Sequence, residues 1–467
     1  MQASLKTSKA HARMMHAART LVAAAVALQV AIASPRPAHA QSVPVVRDAE
    51  IEALMRDYAR PILKAAGLTS SNVEVVLIND PSFNAFVTGR RIFFHTGALL
   101  QAETPNEIIG VMAHEAGHLA GGHQERLHER LRSFQTIAIV GALLGMGIGV
   151  AGAAGGSDGI GQVGAGIAAG APEMARRGLL AYQRTEEITA DRSAIAYLEA
   201  TGQSPKGMLK TFERFAGSLA LAGVKVDPYQ VSHPMPRERI GNLETVAKKS
   251  PYYERTDPPA LQTRHDMMRA KIAAYTQGQA AVQRLFRANP RSFPALYGDA
   301  IVTYLYGSPD AALKKADALL KTQPRNPYLH ELRGDILIKA NRAGEAANAY
   351  ASAVAYDPAK SGMLRIGYGQ ALLATGKPDA IRKAVAELRA GLDKDPEYIT
   401  GYRYLAQAYG LTGDIGLAEM TSAEGHYHSG QYREAKIFAA RAQQKLKQGS
   451  PAWVRAQDII NFKPPRK

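Results

Sequence analysis

The chain has 467 residues, 46% of them hydrophobic and 21% charged, with a formal net charge of +16. This length exceeds one compact domain, so two or three are expected. It contains no cysteine, which excludes disulfides, thiol catalysis, cysteine-ligated zinc and iron–sulfur clusters, and leaves His, Asp and Glu to hold any metal.

Lys6, Lys9, Arg13 and Arg19 lie at or just before the apolar run from Leu21 to Ser34, and Ala38 and Ala40 stand at the small positions of an A-x-A cleavage site. This reads as a secretory signal over residues 1–40, cut near Ala40 and Gln41, so a periplasmic location is expected. The apolar run is too short to span a bilayer. Five positive charges belong to this segment (Lys6, Lys9, Arg13, Arg19 and Arg36), which leaves +11 for the remainder. Such a surface favours anionic lipid or acidic protein partners. No basic run is interleaved with aromatics, so nucleic acid is not an expected partner.

Apolar residues at Ile51, Leu54, Met55, Tyr58, Ile62 and Leu63 recur at helical spacing between Asp48 and Gly67. Val73–Ile78 and Arg90–Thr96 read as strands, with Ile92–His95 expected at the edge of a cleft, where a substrate chain adds as a further strand. Thr104-Pro105-Asn106-Glu107 reads as a helix start, with Thr as cap, Pro in the first turn and Glu closing a capping box. Residues 134–172 carry one charge, Asp158, and are dense in Gly and Ala. Small residues at Gly141, Gly145 and Gly149 suit close helix approach in a membrane, yet glycine is a poor helix former. A mobile hairpin or a helical pair resting on the protein or the bilayer surface is the preferred reading. The same tract contains G-x-G-x-x-G at Gly159–Gly164 and G-x-S-x-G around Ser157. Neither follows a strand, and a glycine-rich tract produces both by accident.

The pattern is helical again from Tyr182 to Leu221. Asp227–Ile240 is a proline-punctuated loop opening another helix, and residues 251–280 read as a linker. Beyond it, Asn289-Pro290, Gln323-Pro324, Asp357-Pro358 and Asp395-Pro396 recur at intervals of 34, 34 and 38 residues. That period belongs to helix–turn–helix tetratricopeptide units, here expected over residues 281–467. Alanines such as Ala346 and Ala353 let paired helices approach, and Tyr350, Tyr402 and Tyr409 fill the gaps. Stacked units leave a concave face suited to peptide or protein recognition.

The chemistry is concentrated in His114-Glu115-Ala116-Gly117-His118. On a helix the two imidazoles stand one turn apart on one side and can share a metal. Glu115 projects beside them, placed to take a proton from water. A catalytic zinc needs a third protein ligand and an open position. The third histidine of H-E-x-x-H-x-x-G-x-x-H is missing, because Gln124 stands where it belongs and His123 falls one residue early. A carboxylate from a later helix fits better. In Gln183–Leu198, Glu187 and Asp191 share a face ahead of apolar Ile195 and Leu198. Glu187 is the candidate third ligand, and Asp191 the candidate hydrogen-bond partner of a ligand histidine. Glu186 reads as part of a solvated acidic face, and His123 and His128 as helix-face residues rather than ligands.

H-E-x-x-H followed about seventy residues later by Glu187-Ile188-Thr189-Ala190-Asp191 resembles the zinc metallopeptidases of family M48, which are gluzincins. Asn79–Leu99 is similar to the family's segment before the active-site helix, and Ser232–Ile240, with His233 and Arg239, to its H-P-x-x-x-x-R stretch. The resemblance implies a mainly α chain: an α+β gluzincin-type domain with a small sheet over residues 41–250, then an α-solenoid of tetratricopeptide repeats. It implies one Zn²⁺ on His114, His118 and Glu187, Glu115 as general base, and supporting contacts from Arg184, Asp191 and Arg239. His233 either steadies the oxyanion or occupies the fourth metal position and blocks water. Repeat-bearing envelope members of the family imply misfolded or stalled outer-membrane proteins as substrates and the barrel assembly machinery as partner, with peripheral membrane contact. The competing reading is a chaperone or scaffold with a latent or structural zinc site.

Overall fold

In a computed structural model, residues 45–127, 129–130, 132–133, 181–221, 233 and 237–464 are described. The signal, the Gly/Ala-rich tract 134–172 and His128 lie outside them. No helix among the described residues is long and apolar enough to cross a membrane.

The first helix, α1 (Ala49–Ala65), follows β1 (Val45–Val46) and is capped by Asp48, whose carboxylate accepts from the Ile51 amide at 2.9 Å. The apolar stripe expected from its sequence is buried: Ile51, Leu54, Met55, Tyr58 and Ile62 are each at most 3% exposed. Three further strands follow, β2 (Glu74–Ile78), β3 (Ala85–Thr88) and β4 (Arg91–His95). The sheet order is β1-β2-β4-β3, with β4 parallel to β2 and antiparallel to β3. This corrects one expectation. Ile92–His95 is internal, bonded on both sides, and the edge strand beside it is Ala85–Thr88, the short β1 forming the other edge. The Gly89-Arg90 turn folds β3 and β4 into a hairpin, so the strand nearer the chain start is left outside.

A short helix, α2 (Thr96–Gln101), leads to α3 (Pro105–Gly121), which carries the histidine motif. Pro105 takes the first helical position as expected, but the capping box is rearranged. Thr104 makes no side-chain cap, and the buried Glu107 accepts from the Glu103 amide and pairs with Lys210 and Arg214. Pro105 through His118 are all buried. A helix apolar on every face sits inside a core, and α3 does, between α1, the sheet and α5 (Lys206–Leu221). Helix α4 (181–200) lies between α3 and α5 in chain order, and α6 (Arg237–Ala247) follows α5.

The expected linker is not one. Within 251–280, α7 (Pro259–Gln277) is a 19-residue helix with eight buried residues. Met268 and Ile272 pack into the core beneath the sheet, and Met267, Ala270, Ala273 and Ala274 into the first repeat-side core. Adjacent positions on a helix point about 100° apart, so one helix serves two cores. Its small and apolar residues face both ways, which leaves no simple amphipathic stripe to read in the sequence. Buried Lys271 reinforces the junction, with Nζ 2.7 Å from Asp48 and 3.2 Å from Glu50, which also accepts from Tyr297 at 2.7 Å.

From α8 (Gln279–Leu285) to α18 (Pro451–Asn461) the chain is a run of helices joined by short turns, with successive helices from Phe293 onward packed on one another. The alanines do what their size suggests. Ala346 and Ala353 are fully buried, and Tyr350 wedges between helices Pro327–Lys339 and Gly362–Ala374. A Cβ added at Gly334 or Gly367 would meet its ring at 2.6 or 2.4 Å. The architecture is mainly helical, a small mixed sheet with its helices followed by a helical-repeat array.

Candidate active site

Four elements converge on one buried point. Helix α3 supplies His114, Glu115 and His118; α4 supplies Glu187 and Asp191; the segment before α6 supplies His233, and α6 supplies Arg239. One ligand atom from each of His114, His118, Glu187 and His233 lies within 4.8 Å of the others, and all four residues are buried. Glu187 Oε1 is 3.3 Å from His118 Nε2, and Oε2 is 3.4 Å from His114 Nε2. His233 Nδ1 is 3.3 Å from His114 Nε2 and 3.1 Å from Glu187 Oε1.

The supporting contacts follow from the four-residue spacing on α4. Asp191, one turn beyond Glu187, reaches the far side of the first histidine, with Oδ1 3.0 Å from His114 Nδ1. Arg239 grips Asp191 with two hydrogen bonds, 2.7 and 2.8 Å, and lies 2.8 Å from Glu187 Oε2. Fork geometry of this kind fixes both position and orientation. Phe212 of α5 packs edge-on against His114 and lies under the Arg239 guanidinium. Nothing in the sequence pattern singled out that aromatic.

Electrostatics separate the two motif histidines. Burial opposes charge on His114, but Asp191 and Glu187 outweigh it and raise its pKa to about 9. Burial dominates at His118, where Glu187 opposes it and His114 adds to it, and the pKa falls to about 3. Glu187 is held far below the usual carboxylate range despite its burial, by His233, His114 and His118. Asp191 is likewise lowered against burial, by Arg239 and His114. Glu115 goes the other way, raised by burial against the pull of His233 and His114. Its two oxygens are buried and have no hydrogen-bond partner among the described residues; His233 Nε2 lies 3.5 Å from Oε1.

These residues fit a zinc ion. The donors are imidazole nitrogens and a carboxylate, the set that zinc takes in catalytic sites, and a carboxylate with free lone pairs stands beside them. A cavity of about 160 Å³ opens on the cluster, lined by Glu115, His118, Glu187 and His233 and walled by Phe86, Val87, Leu127 and Tyr182. Its wall includes the sheet edge at Phe86 and Val87.

The expectations for Arg184, His123 and Glu186 need comment. Arg184 is exposed and takes no part in the contacts described above. It lies almost one turn before Glu187, where the helix has not yet entered the core: Ala181, Arg184 and Thr185 are exposed, whereas Glu187, Ala190, Asp191 and Ala194 are buried. His123, expected on a helix face and not among the ligands, is outside the four-donor cluster but packs against it. It is 4% exposed, with Nδ1 2.9 Å from His118 Nδ1. Glu186 is partly exposed and paired, its carboxylate 2.7 Å from His123 Nε2 and 2.8 Å from Arg126.

Residues 46–247 match the model of Peptidase family M48. The chain is 23% identical over 419 residues to the Beta-barrel assembly-enhancing protease of Escherichia coli (strain K12), covering 88% of this chain and 82% of that protein. It is 28% identical over 427 residues to the Putative beta-barrel assembly-enhancing protease of Vibrio cholerae serotype O1, covering 88% and 84%. Among solved structures, YrrB, a TPR protein with an unusual peptide-binding site, is similar with a TM-score of 0.30 and 15% identity, covering 38% of this chain and 91% of that one. All four donors of the cluster lie inside residues 46–247, the segment that matches Peptidase family M48.

Proposed function

We propose that this chain is a zinc-dependent endopeptidase of the cell envelope whose resting site is closed by its own His233. The observation that carries this is the buried convergence of His114, His118 and Glu187 beside Glu115, a carboxylate with no hydrogen-bond partner among the described residues. A structural metal site has no use for such a base.

His114, His118 and Glu187 would hold the zinc, one ion per chain. Bound there, zinc supplies the Lewis acidity that makes water nucleophilic at neutral pH. Glu115 takes the proton from the attacking water and later delivers it to the leaving amine, a double role that its raised pKa suits. Asp191 and Arg239 keep His114 and Glu187 in place. The extended substrate adds to the edge strand β3, where main-chain hydrogen bonds give affinity with little sequence preference. In the resting state the Gln124 side-chain amide already donates to Val87 O on that edge, so the substrate displaces it.

The relatives named above act, by their names, in β-barrel assembly. On that basis the substrates are misfolded or stalled outer-membrane proteins, the partner is the barrel assembly machinery, and the helical repeats recognise one or the other. The signal and the positive charge are consistent with a periplasmic protein in peripheral contact with a membrane.

One observation favours a second reading. His233 Nδ1 lies as close to Glu187 as the motif histidines do, which suits a fourth ligand; in this second reading, a chaperone or scaffold with latent zinc, the closure is permanent and not merely the resting state. The two are separated by casein cleavage and zinc content of wild type, Glu115→Gln and His233→Ala. The protease reading expects one zinc per chain, slow cleavage by wild type, faster cleavage by His233→Ala and none by Glu115→Gln. Zinc bound with no cleavage by any of the three overturns it in favour of the scaffold.

A further inference from the structure

The two motif histidines are held from behind in different ways. His114 meets a carboxylate directly, Asp191 at 3.0 Å. His118 meets a second histidine. We infer that His123, backed by Glu186 and Arg126, is a positioning residue that fixes the ring and the tautomer of His118. This rests on the reading of His118 as a metal ligand.

The proton count leaves one arrangement. His118 Nε2 faces the donor cluster, 3.1 Å from His114 Nε2 and 3.3 Å from Glu187. To offer that nitrogen's lone pair to a metal, the neutral ring must carry its proton on Nδ1. Nδ1 lies 2.9 Å from His123 Nδ1, which must then accept. The proton of His123 is thereby placed on Nε2, which lies 2.7 Å from Glu186 Oε2, close enough for charge attraction although the two do not meet in hydrogen-bond geometry. Glu186 is held in turn by Arg126 at 2.8 Å, and Arg126 also donates to Gly121 O at the end of α3. Each site in the series has one role, and both rings are largely buried at the wall of the cavity.

The backbone around His123 is shaped for this contact. On a continuous helix, a residue five places after His118 would point about 140° away from it. Here α3 ends at Gly122, which adopts φ +62, and the chain turns so that the next side chain folds back over His118. Gly121 leaves the space: a Cβ there would stand 2.2 Å from His123 Nε2. An alanine at 121 would evict the ring without removing it.

The test uses the full-length protein loaded with Zn²⁺ or Co²⁺, with affinity measured by competition against a chromophoric chelator. Partners behind metal-bound histidines are worth roughly 10–100-fold in affinity. His123→Ala and Gly121→Ala are each expected to weaken Zn²⁺ binding by about 10-fold or more and to shift the visible absorption bands of the Co²⁺ form. His123→Gln, whose carbonyl oxygen can accept from Nδ1–H, should recover part of the loss. Glu186→Gln, at a partly exposed position that spares the fold, should weaken binding in the same direction by less. If wild type binds tightly and His123→Ala and Glu186→Gln match it within twofold with unchanged Co²⁺ bands, the inference is overturned while the zinc reading stands. If wild type binds no Zn²⁺, the reading of His118 as a ligand fails first and takes the inference with it.

Discussion

Gly117 sits inside the histidine motif, at the point where helix Pro105–Gly121 crosses the helix that carries Glu187. A Cβ at this position would lie 2.9 Å from the Ala190 carbonyl oxygen and 3.1 Å from Ala190 Cα. Ordinary contact begins near 3.4 Å, so the two backbones must part by about 0.5 Å. Two effects of Gly117→Ala oppose each other. Alanine in a helix interior gains about 0.5–1 kcal/mol over glycine. Overpacking against backbone that cannot rotate away costs about 1–3 kcal/mol. The crossing joins the two histidines proposed as ligands to the carboxylate proposed as the third, so the separation also falls on the His118–Glu187 distance, now 3.3 Å. The net expectation is a loss of roughly 1–2 kcal/mol in stability and a Zn²⁺ affinity lowered by about an order of magnitude. Urea unfolding of the metal-free protein measures the first, and chelator competition the second. A Gly117→Ala protein that is more stable than wild type and binds Zn²⁺ equally well would refute the reasoning, since helix propensity would then be the only effect present.

Three further outcomes are expected. His265 is fully buried between Ala102 O and Tyr58 OH, and burial lowers its pKa from 6.5 to about 4. The unfolded chain therefore binds more protons between those values, so stability present above pH 6.5 is lost as pH falls towards 4; wild type should lose about 2 kcal/mol more than His265→Gln between pH 7.5 and 5, and equal losses in urea titrations at the two pH values would contradict this. Lys271→Met leaves Asp48 and the fully buried Glu50 without their cation, which should cost about 3–5 kcal/mol; a denaturation midpoint unmoved from wild type would show that the junction does not depend on this charge. Gln124→Ala frees Val87 O on the sheet edge and should raise kcat/KM for an unfolded substrate a few-fold with Zn²⁺ affinity unchanged; a lowered kcat/KM would show that Gln124 assists substrate rather than standing in for it.

The sequence made the site legible where regular spacing governs it. His114 and His118, and Glu187 and Asp191, are each one helical turn apart, and four-residue spacing needs no knowledge of the tertiary fold. Arg239 was legible only through its resemblance to a family stretch, and the structure places it on both carboxylates. What was missed depends on breaks in regularity. His123 points the right way because Gly122 leaves the helical conformation, and periodicity cannot anticipate that. Glu186 looked solvated because its partners, His123 and Arg126, come from a segment that follows the same break. Arg184 has the right spacing on the wrong side of the helix's entry into the core. Phe212 is an ordinary apolar residue until tertiary packing sets it against His114. The edge strand depends on hairpin topology, and α7 on serving two cores at once, which erases the one-sided pattern expected of a surface helix.

The central claim is that one zinc ion is held by His114, His118, Glu187 and His233, with His233 closing the site. Zinc K-edge X-ray absorption on the purified, zinc-loaded protein addresses this directly, because imidazole multiple scattering counts histidine ligands. The account predicts one zinc per chain with three imidazoles in wild type, and two in His233→Ala. A wild-type spectrum with only two imidazoles, unchanged in His233→Ala, would contradict it.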